Sequence, residues 1–179
     1  MNTTVTANTT IDPGEHAAEF GKYIALVPPG DVQAILDRQL QDFTALLEPL
    51  TDEQAMVKHA PYTWTIKQVV GHMTDCERVF GCRVLRVGRN DQTPLTTFDE
   101  AAYMQHADFD RCPIQGLVSE FKCLRRSHLK MIRHFPAEAW NYRGVVLGQP
   151  ASLRAMVYVL AGHAKHHLGI LHKRLSPAR

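Results

Sequence analysis

Three histidines, His72, His163 and His167, are spaced so that they could meet at one point in a folded chain of 179 residues. Neutral imidazole offers a nitrogen lone pair near pH 7, and converging imidazoles bind borderline cations such as Zn²⁺ at about 2.0–2.1 Å. His163 and His167 lie four apart in the segment His163-Ala-Lys-His-His167, which on a helix stacks one a turn above the other. With His163 set at zero and residues stepped around a helix, Met156, Leu160, Ile170 and Leu171 fall between about −20° and +80°. His167 falls at about +40°, inside that apolar stripe, and His166 at about −60°, on its margin. His172 points away together with Arg154. On an earlier helical segment the stripe is Val69, Met73, Cys76, Val79, Phe80 and Val87, with His72 at its edge and Cys76 one turn further along.

Two readings fit these three inward histidines. One is a divalent metal ion that satisfies nitrogens otherwise costly to bury. The other is a hydrogen-bonded polar layer, next to a helix C-terminus that favours cations. The H-x3-H pair lacks the glutamate that accompanies it in zincin peptidases, which argues against that activity. Neighbouring residues divide in the same way. His128 lies on the apolar stripe of a third segment, as a satisfied core histidine or a site-lining one. Cys76 is packing or a soft ligand. Asp75 is a solvated charge beside Glu77 and Arg78, or an orienting group or catalytic base. Trp64 is expected to pack over the start of the second long helix rather than act as a ligand.

Four long helices must position these groups. The first follows the N-cap Asp31 and carries Val32, Leu36, Gln39, Phe43 and Leu46 at helical spacing until Pro49. A short turn is expected over Asp52 to Met56. The second helix starts at Thr65, where Thr65-Ile-Lys-Gln68 forms a capping box, and runs to about Val87 with Gly88 as its C′ residue. Arg89 to Cys112 reads as a long connection holding one short helix around Phe98 to His106. The third helix spans Pro113 to Phe135, with Leu117, Phe121, Leu124, His128, Met131 and Phe135 as its stripe. The fourth is capped by Ser152 and continues to about Leu175. Gly144-Val-Val-Leu147 is too short to build a sheet, so the expectation is all-α. Residues 1–22 read as a flexible tail and 23–179 as one bundle domain.

Composition narrows the classes further. Apolar residues are 45% and charged residues 21%, with a formal net charge of +2. Acidic and basic residues nearly balance and no long basic run appears, which argues against nucleic acid as a partner. No stretch is apolar long enough to span a bilayer, and the Thr- and Asn-rich N-terminus lacks the pattern of a signal peptide. Cys76, Cys82, Cys112 and Cys123 form no CxxC pair, so free thiols in a reducing cytoplasm are expected.

Trp64-Thr-Ile-Lys-Gln-Val-Val-Gly-His72-Met-Thr-Asp75-Cys-Glu77-Arg78 resembles the second-helix signature of the DinB-like (YfiT-like) metal-binding bundle superfamily. Ala161-Gly-His163-Ala-Lys-His-His167-Leu resembles its closing motif, and Phe98-Asp-Glu and Leu124-Arg-Arg fit between them in order. The resemblance extends from about Tyr23 to Arg174. It implies a four-helix bundle of up-down-down-up topology with a long crossover between helices two and three. It further implies Zn²⁺ or Ni²⁺ on His72, His163 and His167. The family includes S-transferases and isomerases that use low-molecular-weight thiols, as well as metal-dependent hydrolases. The resemblance therefore favours an enzyme acting on a small-molecule substrate by thiol S-transfer, with hydrolysis using Asp75 or Glu77 as base as the alternative, and a homodimer. A non-catalytic metal-binding or stress-related bundle is the competing reading.

Overall fold

The computed structural model describes residues 10–176. Its framework is four long helices, three shorter ones and a hairpin, introduced here in chain order. Short α1 covers Gly21–Ile24. Helix α2 covers Val32–Leu47, started by the Asp31 carboxylate accepting the Gln33 N–H. One turn, α3, spans Asp52–Ala55. Helix α4 runs Ile66–Gly88 from the expected Thr65–Gln68 capping box. Helix α5 is Glu100–His106 and α6 is Ile114–Arg133. The last helix, α7, is Leu153–Leu175, capped by the Ser152 hydroxyl accepting the Ala155 N–H.

Helix α4 packs on α6 and α7, and α2 packs on the same two, so α2 and α4 stand diagonally opposite each other in the bundle. Their apolar faces meet in one core that includes Phe43, Met73, Val84, Phe121, Met156 and Leu160. Phe43 of α2 stacks on Phe121 of α6 with ring centroids 4.2 Å apart. Helix α6 has proline at its N-cap position and no side-chain cap of its own; the α3 carboxylate of Asp52 accepts its Ile114 N–H at 2.7 Å.

Three expectations need correction. Arg143–Val146 and Gln149–Ser152 form an antiparallel hairpin, β1 and β2, in a region read as loop. Leu147 and Gly148 make its two-residue turn with positive φ, and the backbone of Leu95 exchanges hydrogen bonds with Val145 and Leu147. Short strands with Pro150 in the second carry almost no alternation signal.

The tail expected through residue 22 gives way to packed structure from Ile11 onward. Ile11, Ala17 and Phe20 are buried in the core, and Glu15 is buried against Ser152 and Arg154. The part of that tail before residue 10 lies outside the described residues.

Gly88 is the last residue of α4, not the residue after it. A Cβ there would stand 2.4 Å from the Phe135 ring, so the glycine serves the approach of α6's end, while Asn90 adopts the left-handed conformation.

Candidate metal centre

Helices α4 and α7 bring His72, His163 and His167 together. Each offers a ring nitrogen, and these atoms all lie within 4.8 Å of one another. All three residues are buried, and the Nε2 atoms of His72 and His163 are 3.3 Å apart. Two nitrogens that each stand about 2.0–2.1 Å from one ion, at a tetrahedral angle, are about 3.3–3.4 Å apart. Nδ1 of His167 is buried with no hydrogen-bond partner among the described residues. An orphaned buried nitrogen is costly unless a ligand takes its lone pair.

Electrostatics keeps these rings neutral, as metal ligation requires. Burial pushes His72 down to about 4, with the charge of His166 adding to the effect. Burial, then the neighbouring histidines, hold His163 and His167 well below the ordinary imidazole value. The residues present thus fit a divalent cation: three uncharged nitrogen donors, close together, one of them without any other partner.

Aromatic rings wall the cluster. Trp64 lies 5.1 Å from the His72 ring, centroid to centroid, and Phe80 and Tyr23 each lie 5.3 Å from the His163 ring. Tyr23 reaches that position because α1 lies directly on α7. A Cβ at Gly162 would stand 2.1 Å from the Tyr23 carbonyl oxygen, so only glycine permits this approach. The expectation that Trp64 covers the start of the second helix without ligating agrees with this placement.

The other candidates fall outside the cluster. His166 is exposed, edge-on to Tyr23 and His167. Cys76 is buried with its sulfur 3.7 Å from His72 Nε2, and burial raises its thiol far above the ordinary range. Asp75 is half-buried on the flank of α4, 3.5 Å from Arg78, and burial raises its carboxyl. His128 lines no metal cluster; its Nδ1 is 2.9 Å from Glu77 Oε1.

Glu77 is the largest departure from expectation. Read from the sequence as a possible base, it is 3% exposed and receives two hydrogen bonds from Arg125, each 2.7 Å. Burial works to raise its carboxyl, but Arg125 and His128 outweigh it and hold Glu77 ionised. Arg125 is fully buried and also donates to Gln39 Oε1, whose amide nitrogen donates to the Ala161 carbonyl. This network joins α2, α4 and α6 to α7 two residues before His163. The available signal was position: Glu77 sits four after Met73 and three before Phe80, inside the apolar stripe.

Known proteins agree with this architecture. The DinB superfamily model matches residues 35–171. A Bacillus pumilus (strain SAFR-032) protein provisionally named a metal-dependent hydrolase is 24% identical over 131 residues, which is 72% of this chain and 74% of that protein. YfiT from Bacillus subtilis, described in similarly provisional terms as a metal-dependent hydrolase with an unusual four-helix bundle topology, shares the fold. Its TM-score is 0.67 at 18% identity, covering 95% of both chains.

Proposed function

This chain belongs to the DinB superfamily, and on that premise we propose that His72, His163 and His167 hold one divalent ion, Zn²⁺ or Ni²⁺, for hydrolysis of a small molecule. The observation that carries this reading is the buried convergence of three neutral imidazoles, with His167 Nδ1 unpartnered. The provisional names of the relatives supply the reaction class. Three protein donors without charge are the pattern of catalytic sites, which keep a position for water or substrate. A divalent ion supplies Lewis acidity there, acidifying a water or thiol toward a nucleophile near neutral pH.

The chain's own residues contribute orientation and exclusion of water. Trp64, Tyr23 and Phe80 surround the imidazoles with rings, which keeps competing hydrogen-bond donors away from their nitrogens. The Arg125–Gln39–Ala161 hydrogen bonds fix α7 close to His163. Asp75, with a carboxyl raised by burial, is the residue we assign as proton acceptor on the flank of α4. The same reading carries the up-down-down-up helix order with a crossover through Arg89–Pro113.

The aromatic wall favours a second nucleophile as well. A low-molecular-weight thiolate is less hydrated than hydroxide and suits an apolar surround, which supports thiol S-transfer as the alternative chemistry.

The deciding measurement is elemental analysis of purified protein and two variants. About one divalent ion per chain is expected, lost in His167→Ala and retained in His166→Ala. Equal metal content in both variants would sink the assignment. Metal-loaded protein is then assayed on p-nitrophenyl esters, and with cysteine plus a chloro-dinitroarene. Turnover of the ester alone selects hydrolysis, and conjugation alone selects S-transfer.

A further inference from the structure

A second polar feature lies behind the aromatic wall. Arg83 of α4 is 4% exposed, yet it has no salt bridge among the described residues. One of its terminal nitrogens donates to the Thr96 carbonyl at 2.9 Å. Its other nitrogens have no hydrogen bond there. The guanidinium carbon stands 5.6–5.8 Å from the rings of Phe20, Phe80 and Phe98. Burial lowers its pKa without taking it out of the charged form.

Three ring faces and one carbonyl replace only part of what a buried guanidinium loses on leaving water. The usual completion is a carboxylate held by two parallel hydrogen bonds. Here the protein provides space in place of that partner. A cavity of about 120 Å³ opens at Arg83, lined also by Lys22, Tyr23, Phe80 and Phe98. Two carboxylates, Glu19 and Glu100, border it, but both are exposed and neither bonds the guanidinium. The volume suits one polar headgroup, since whole drug-sized ligands take roughly 300–1,000 Å³.

Its position relates it to the histidines. Tyr23 and Phe80 line this cavity and also lie against His163, so the two sites share a wall. On α4, His72, Cys76, Phe80 and Arg83 follow one another along a single face.

We propose that Arg83 is a specificity-determining residue that binds an organic carboxylate on the substrate, in the cavity between α1, α4 and the segment before α5. The substrate's reactive end is then directed past Phe80 and Tyr23 toward His163. That last step rests on the metal-centre reading; the carboxylate site itself does not. Lys22 adds a second positive charge at the rim, where its ammonium lies 4.9 Å from the Tyr23 ring. A neutral amide of the same shape offers one uncharged acceptor oxygen in place of two anionic ones and binds more weakly.

The test uses the full-length protein as purified, with butyrate and its neutral near-isostere butyramide as probes. Binding is followed by NMR at the Arg83 Nε–H signal, assigned by its absence in Arg83→Gln. Butyrate is expected to shift that signal and to bind at least about tenfold more tightly than butyramide, the effect of one charge-assisted pair. Arg83→Gln is expected to abolish the preference while leaving the metal content of the protein unchanged. If Arg83→Gln does not fold, Arg83→Lys identifies the signal and should keep part of the preference. Equal binding of the two probes, or a preference that survives in Arg83→Gln, overturns the proposal. A protein that prefers butyrate but contains no metal sinks the metal centre and leaves the carboxylate site standing.

Discussion

His72 and His163 present their Nε2 atoms to each other at 3.3 Å across the α4–α7 contact, both buried and both held neutral. Two lone pairs cannot share that gap unaided: one ring must donate a proton to the other, or both must face a common cation. An ion bound here would therefore replace the direct contact between these two nitrogens. Wild-type melting temperature is expected to climb with added Zn²⁺, by about 3 kcal/mol of stability at a hundredfold excess over Kd. His163→Leu should remove that climb. In metal-free protein the same change removes the hydrogen bond between the two rings and leaves His72 Nε2 short of a partner, so a loss of about 1–3 kcal/mol is expected. Calorimetry with and without chelator reads both effects, and a variant that still responds to zinc would contradict the ligand assignment.

Arg125→Met leaves the Glu77 carboxylate buried without its two 2.7 Å donors. The expected loss is about 3–5 kcal/mol, typical of breaking one side of a buried pair. Pairing it with Glu77→Leu should recover much of the loss. Urea unfolding of both single variants and the double variant gives the coupling energy, and additive losses would show that the pair does not act as a unit.

Gly162→Ala places a methyl group 2.1 Å from the Tyr23 carbonyl. Backbone cannot yield as a flexible side chain would, so α1 is expected to lift from α7 at a cost of about 1–3 kcal/mol. Hydrogen exchange should then quicken in residues 21–24 and remain slow in α4. Unchanged protection in α1 would contradict the close approach.

Glu15 is drawn down to about 2, chiefly by its hydrogen bonds from Arg154 and also by Ser152, against an ordinary value of 4.5. A carboxyl depressed on folding contributes stability that is complete above the unfolded value and is lost as pH falls through the folded one. Glu15→Gln is therefore expected to be less stable than wild type at pH 7, by about 1–3 kcal/mol. The gap should close as pH falls from 4.5 to 2. Chemical denaturation at a series of pH values tests the window, and a gap that widens on acidification would refute the role of the ion pair.

Helix positions were largely legible because caps and apolar periodicity agree. Asp31, Thr65 and Ser152 all cap the helices that their side chains announced. His163 and His167 were legible for the same reason: one helix and one stripe fix their common direction. Arg125 was not. A helical projection scores a charged residue as outward, and only its partner on another helix reverses that score. On α6 the buried side chains are Ile114, Leu117, Val118, Phe121, Arg125, Leu129 and Ile132, a stripe rotated away from Leu124, His128 and Met131. The β1–β2 hairpin and the packed segment from Ile11 to Phe20 were hidden similarly, since their stability comes from tertiary partners such as Leu95 and Arg154.

The contact between Tyr23 and Gly162 has a bearing on how such proteins diversify. The residues that wall the histidines and the Arg83 cavity come partly from the four-helix frame and partly from the segment that α1 anchors upon it. Phe80 and Arg83 are fixtures of α4, whereas Glu19, Phe20, Lys22 and Tyr23 arrive on a short piece of chain seated over α7. On the proposed reading, ligand preference is thus a portable trait. Exchanging that short piece between relatives would re-tune what reaches the histidines while the machinery beneath stays as it is.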